Sequence, residues 1–237
     1  MSLFGVLTLI LATSAVSAPP AKSAPPAKRV RPAPQALPLI EVPARVKSAR
    51  TYFALIISGD GGWAKIDKEI SAKLALDGVP VVGLNALEYF WKEREPPVLA
   101  HDVASIIEQY SARWNRRDVV VIGYSRGADV LPFAVTRLPD PVRQRVALVA
   151  LLSPSKSATF EFKVADWFKD RNGVPTKPEI DKLRGTKTIC VYGTDDKETV
   201  CTDVDARVAR PIPLIGSHHF DRNYDALAAL ITAQVGQ

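Results

Sequence analysis

The sequence predicts an α/β protein whose mostly parallel central sheet carries helices on both faces. Two patterns point there: continuous apolar runs of strand length recur along the chain, and amphipathic segments of helical period separate them. A third is the punctuation, since glycines follow several strand-like runs where the chain must turn.

Residues 52–58 (YFALIIS) are apolar without polar alternation, as a strand buried on both faces requires, and Gly59, Gly61 and Gly62 break the run. Residues 66–76 set Ile66, Ile70 and Leu74 on one helical stripe, with Gly78 past the end as a stop. Residues 80–84 (PVVGL) give a second strand. Residues 101–114 carry Val103, Ile106, Ile107, Tyr110 and Trp114 at helical spacing behind Pro96 and Pro97. Residues 118–122 (DVVVI), 146–152 (VALVALL) and 187–192 (KTICVY) are further buried strands, residues 128–137 a helix, 209–215 a last strand-like segment and 221–234 a closing helix. The stretch 153–175 breaks this rhythm. Within it, residues 159–164 alternate with period two, which predicts an edge strand or a cap over the sheet.

The chain has 237 residues, 47% of them hydrophobic and 24% charged, enough for a real core. Its formal charge of +6 and pI near 9.3 invite an anionic partner, but residues 1–50 hold seven basic side chains and one acid. The remainder is formally neutral. A nucleic-acid partner is therefore not expected, because no basic face or recognition motif accompanies the charge. No apolar tract reaches the length of a membrane-spanning helix, which excludes a multi-spanning membrane protein.

Residues 1–18 run from an apolar stretch into Val16-Ser17-Ala18 and read as a secretory signal peptide, which predicts export. Residues 19–50 read as an extended Pro-rich basic linker, suited to peripheral contact with anionic membrane at about 1 kcal/mol per Lys or Arg. The folded body is then 51–237. Cys190 and Cys201 match neither a CxxC redox pair nor a zinc site, and in an exported protein they predict one disulfide, worth roughly 3 kcal/mol.

Gly123-Tyr124-Ser125-Arg126-Gly127 matches GxSxG between a strand and a helix, the setting that projects a nucleophilic serine hydroxyl from a strained turn. Ser125 needs a base. His101 lies upstream and reads as a surface or helix-start residue, whereas His218 and His219 follow the last strand-like segment, where the base belongs in the order nucleophile, acid, histidine. His218 is preferred and His219 is the alternative. The acid is expected directly after residues 187–192, with Asp196 first and Asp195 as the alternative. Cys190 and Cys201 bracket that loop. An oxyanion hole needs backbone N–H groups from Arg126 and from the loop 58–63 (SGDGGW), with Asp60 or Gly61 the expected donor. A carboxylate beside a developing oxyanion would repel it, so Asp60 is expected to pair with Arg126 or with a cationic group on the substrate.

Five motifs in order, SGDGGW (58–63), GVPVVGLNALEYFW (78–91), IGYSRGADVLPF (122–133), CVYG with an acid-rich stretch and a second Cys (190–201), and GSHHF (216–220), resemble the bacterial VirJ/AcvB virulence family. The resemblance covers residues 52–233. It implies an α/β-hydrolase fold, and catalysis by Ser125, His218 and an acid at Asp195 or Asp196. It further implies a periplasmic enzyme of the lysyl-phosphatidylglycerol hydrolase type, cleaving an aminoacyl ester of a membrane phospholipid. Partners in type IV secretion are implied for the VirJ type, and a non-catalytic adaptor of virulence-factor export is the alternative reading. Arg126 departs from the aromatic residue expected after the serine. On the aminoacyl-lipid reading, Asp60 would meet the lysyl ammonium, and the chemistry needs no metal or cofactor.

Overall fold

A computed structural model describes residues 36–162 and 173–235. The expected signal peptide and the linker up to residue 35 lie outside the described residues. The elements run β1 (Leu39–Val42), β2 (Tyr52–Ile57), α1 (Lys65–Leu76), β3 (Val81–Leu84), α2 (Ala86–Tyr89), α3 (Pro96–Trp114), β4 (Asp118–Tyr124), α4 (Arg126–Val135), α5 (Asp140–Arg143), β5 (Val146–Leu152), β6 (Ser157–Ala158), β7 (Val174–Pro175), α6 (Lys177–Ile180), β8 (Thr188–Gly193), β9 (Arg210–Leu214) and α7 (Tyr224–Val235). Among the described residues no helix is long and apolar enough to cross a membrane.

The main sheet has the order β1-β3-β2-β4-β5-β8-β9, with every neighbouring pair parallel except β1 with β3. The apolar runs of the sequence work as expected for strands covered on both faces. In β2, Phe53, Leu55 and Ile57 join one core layer while Tyr52, Ala54 and Ile56 join the other. In β4, Val119 and Val121 divide in the same way from Val120 and Ile122. The first layer packs against α3 and α4, and the second against α1 and α7.

Four details correct the sequence reading. Residues 39–42, read as linker, form an antiparallel edge strand on β3, and Leu37 and Leu39 pack against the core. The segment is short and bounded by Pro38 and Pro43, which hides its strand character. Its Glu41 accepts from the Tyr110 hydroxyl at 2.7 Å and pairs with Arg113 at 3.0 Å. The helix expected at 101–114 begins earlier, since Pro96 and Pro97 occupy its first turn, where no N–H is needed. The closing helix begins later, at Tyr224, after a left-handed turn.

The fourth correction concerns residues 159–164. Thr159 to Phe162 form no edge strand; the small two-stranded sheet is instead made by β6 and β7. Phe160 packs edge-on against Phe90 and Phe133, and backbone bonds tie Arg94 to the Phe160 carbonyl and Phe162 to the Phe90 carbonyl. The segment thus caps the region beside α2 and the start of α4, as the second of the two expectations had it. Val164 lies outside the described residues.

Cys190 on β8 and Cys201 in the following loop form the expected disulfide, with Cα atoms 5.5 Å apart and both residues fully buried. A covalent closure of this length stabilises by about 3 kcal/mol in the chain-entropy account. Replacing both cysteines by alanine is expected to lower the melting temperature by roughly 6–12 °C, read by calorimetry. An unchanged melting temperature would show that the bond does not brace the fold.

Candidate active site

Strand β4 ends at Tyr124 and α4 starts at Arg126, so Ser125 alone makes the turn between them. It does so with φ 53° and ψ −120°, a left-handed conformation that costs on the order of 1–3 kcal/mol in a non-glycine residue. The surrounding packing enforces it. A Cβ on Gly123 would lie 2.4 Å from the Gly127 carbonyl oxygen, and one on Gly127 would lie 2.0 Å from the Ile57 carbonyl oxygen. Both glycines of the motif are therefore required by backbone approach. Ser125 N–H donates to the Leu152 carbonyl at 2.9 Å, which fixes the turn against β5.

The serine hydroxyl lies 3.0 Å from His218 Nε2, and His218 Nδ1 lies 2.8 Å from Asp196 Oδ2. The three side chains come from the ends of β4, β8 and β9, all on the carboxyl side of the sheet. Asp196 is buried, with 5% of its side chain exposed, while a third of the imidazole remains open. The structure thus brings together the preferred members of each pair. Asp195 is exposed, and its backbone amide donates to the Gly216 carbonyl at 2.9 Å. His219 instead meets the Tyr124 hydroxyl at 2.6 Å, and burial, followed by the nearby His218 and Arg222, holds its pKa below the ordinary histidine value. His101 is exposed on α3, as expected of a surface residue.

The loop between β2 and α1 folds over the serine. A Cβ on Gly59 would sit 3.3 Å from the Ser125 Cβ, which places the start of this loop against the nucleophile. Its Asp60 binds Arg126, the first of the two partners considered for it. The Arg126 guanidinium is almost fully buried, donates also to Thr159 Oγ1 at 2.7 Å and to the carbonyls of Thr159 and Glu161 at 3.1 Å, and lies 5.8 Å from the Phe162 ring centroid. One side chain therefore ties the elbow to the β2–α1 loop and to the capping segment. The Asp60 carboxylate thus has a buried internal counter-charge, while 18% of its side chain stays exposed.

Three supporting residues escaped the sequence reading. Ser153, left-handed at the end of β5, donates from its hydroxyl to the His218 carbonyl at 3.2 Å. Gly193 lets the acid loop cross the histidine loop, since a Cβ there would lie 2.1 Å from the Ser217 carbonyl oxygen. Thr159 receives Arg126. Only Gly193 carried a visible signal, as a glycine ending a strand run.

The family model described as "Bacterial virulence protein (VirJ)" matches residues 51–237. The chain belongs to the VirJ family. Its α/β-hydrolase fold is shared with solved structures of low sequence identity. Est1E from Butyrivibrio proteoclasticus superposes with a TM-score of 0.62 at 12% identity, over 84% of this chain and 94% of that one. MenH from S. aureus gives 0.59 at 11%, over 84% and 97%, and the lipase BlEst2 from Bacillus licheniformis gives 0.60 at 10%, over 83% and 97%. These likenesses carry the VirJ chain's fold; its chemistry rests on its own residues.

Beneath the β2–α1 loop, Asp67 is 1% exposed and caps the Ala64 amide at 3.0 Å, while its Oδ1 has no hydrogen-bond partner. Burial pushes its carboxyl up to about 7, against the pull of the Ala64 and Asp67 amides and Lys68. With the folded pKa above the unfolded one, the native state binds the extra proton between about pH 4 and 7, and stability falls as pH rises through that window. The Asp67→Asn variant is expected to gain stability relative to wild type between pH 5 and pH 8 in urea unfolding. A difference that does not change with pH counts against this assignment.

Arg126→Met leaves the Asp60 carboxylate without its main counter-charge and is expected to cost about 3–5 kcal/mol. Adding Asp60→Asn should recover part of that loss. Strictly additive losses in the double variant would show that the two residues are uncoupled.

Proposed function

We propose that this VirJ-family chain is a periplasmic serine esterase that removes the aminoacyl group from a membrane phospholipid of the lysyl-phosphatidylglycerol type. The observation that carries the reading is the continuous Ser125–His218–Asp196 hydrogen-bonded chain at a left-handed strand-to-helix elbow. The family membership and the buried disulfide support export, since such bonds persist in oxidising compartments.

Ser125 Oγ attacks the ester carbonyl as His218 Nε2 takes its proton, and Asp196 orients the imidazole and stabilises the imidazolium. The Arg126 amide precedes the first intrahelical bond of α4, made by Asp129 N–H to the Ser125 carbonyl, so it has no intrahelical acceptor. Together with an amide of Asp60 or Gly61 it would hold the oxyanion. Arg126 balances the Asp60 carboxylate, which removes the repulsion such a side chain would otherwise exert on that oxygen. The intermediate collapses as Nε2 protonates the departing glycerol oxygen, and water attacks the aminoacyl-Ser125 ester by the reverse proton path. Lysine and phosphatidylglycerol leave, and Ser125 is regenerated.

The test is lysine and fatty-acid release from lysyl-phosphatidylglycerol in mixed micelles. Lysine alone is expected, with Ser125→Ala reduced to background and Asp196→Asn slowed by roughly 10³–10⁴-fold. Equal turnover by wild type and Ser125→Ala overturns the serine mechanism, and release of fatty acid overturns the aminoacyl assignment.

A further inference from the structure

We propose that the cavity beside Ser125, flanked by Lys65 and Arg222, is the subsite for the phosphodiester of the leaving phosphatidylglycerol. The identity of the ligand rests on the aminoacyl-lipid reading above; its charge rests on the cavity itself.

The cavity holds about 340 Å³. Its wall includes immediate neighbours of the reacting groups: Tyr124 precedes the nucleophile, His219 follows the base, and Gly59 packs on Ser125. An ester seated at Ser125 therefore has its glycerol within reach of this space. Lys65 and Arg222 bring two positive charges to it. Among the described residues the Arg222 guanidinium makes no hydrogen bond or ion pair, and Lys65 meets only Glu69, at 3.4 Å in a largely exposed contact. Asp67, two residues beyond Lys65, is turned inward onto the Ala64 amide and does not line the space. A lysyl ammonium placed there would face two like charges. A phosphodiester would face two opposite ones, of which Arg222 offers the planar fork suited to phosphate oxygens.

The backbone adds an independent observation. Phe220, Asp221 and Arg222 are consecutive non-glycine residues with φ of 52°, 48° and 61°. Each such conformation is disfavoured for an L-residue, and three in a row occur between the catalytic histidine loop and α7. This turn carries the chain from the His218–His219 loop to α7, and Arg222 at its end lines the cavity. The amides of Lys65 and Ile66, which precede the first intrahelical bond at Lys68, add to the positive potential of the lining.

The experiment uses the full chain and three ligands: glycerophosphoglycerol, inorganic phosphate and glycerol. Calorimetric titration reads binding without turnover, and inhibition of p-nitrophenyl butyrate hydrolysis reads it at the active site. Glycerophosphoglycerol is expected to bind and to compete, glycerol to do neither, and Lys65→Met/Arg222→Met to weaken the diester at least tenfold with an unchanged melting temperature. On lysyl-phosphatidylglycerol the same variant should lose at least tenfold more kcat/KM than on the butyrate ester. Equal losses on both substrates, or diester affinity indifferent to Lys65 and Arg222, overturn the subsite. Inorganic phosphate binding as tightly as the diester overturns its assignment to the lipid headgroup. Diester binding that depends on both cations, in an enzyme that does not cleave lysyl-phosphatidylglycerol, upholds the subsite and overturns only the substrate reading.

Discussion

The structure depends on the near-contact between the backbones of β2 and α4 at Gly127 and Ile57. No side chain fits between them, so α4 begins directly under the end of the neighbouring strand, and Ser125 is forced left-handed to make the connection. The strain at the serine is held by sheet pairing on both sides of β4 and by the buried run of α4, whose residues Ala128, Val130 and Leu131 have no exposed surface. Loosening that contact would release the serine to an ordinary turn and move its hydroxyl off the imidazole. The hydroxyl's position is thus a consequence of core packing, and the core is assembled from strands that the sequence marks as uninterrupted apolar runs.

The other two members of the triad are positioned by loops that constrain one another. Gly193 permits the acid loop to pass against the Ser217 carbonyl, Ser153 holds the His218 carbonyl, and the Cys190–Cys201 bond closes the acid loop at its base. On the other side, Arg126 joins the β2–α1 loop to the capping segment through one buried guanidinium. On the proposed mechanism the residue after Ser125 would do two jobs: its amide would serve the oxyanion, and its side chain fixes the loop that would supply the second donor. An aromatic residue at this position could supply the amide but not the tie to Asp60.

The fold and the triad were legible because both depend on local patterns. Apolar runs without alternation identify buried parallel strands, and GxSxG between a strand and a helix identifies the elbow. Chain order then limits the base to two histidines and the acid to two aspartates. Choosing His218 and Asp196 from sequence relied on spacing, and the geometry bears on it: His219 is held by Tyr124, and Asp196 meets His218 while Asp195 stays exposed. What stayed hidden was set by tertiary contact. Leu39–Val42 looks like linker because four residues between prolines carry almost no periodic signal, and only pairing with β3 makes them a strand. The Arg126–Asp60 pairing is among the expectations from sequence, but not the closing of Thr159 and the Glu161 carbonyl around the same guanidinium. The left-handed turn at 220–222 has no glycine to announce it.

The two margins of the sheet share a property with a wider consequence. β1 is four residues long between Pro38 and Pro43, and β9 carries Pro211 and Pro213 two positions apart, so that on one side of the strand the donors are missing. Since β9 pairs with β8 through its remaining amides, the donor-poor side is the outward one. Neither margin offers a full ladder to an incoming strand. Edge-to-edge addition of a second sheet is thereby disfavoured, which leaves the helices and loops as the surfaces on which a stable complex would be built.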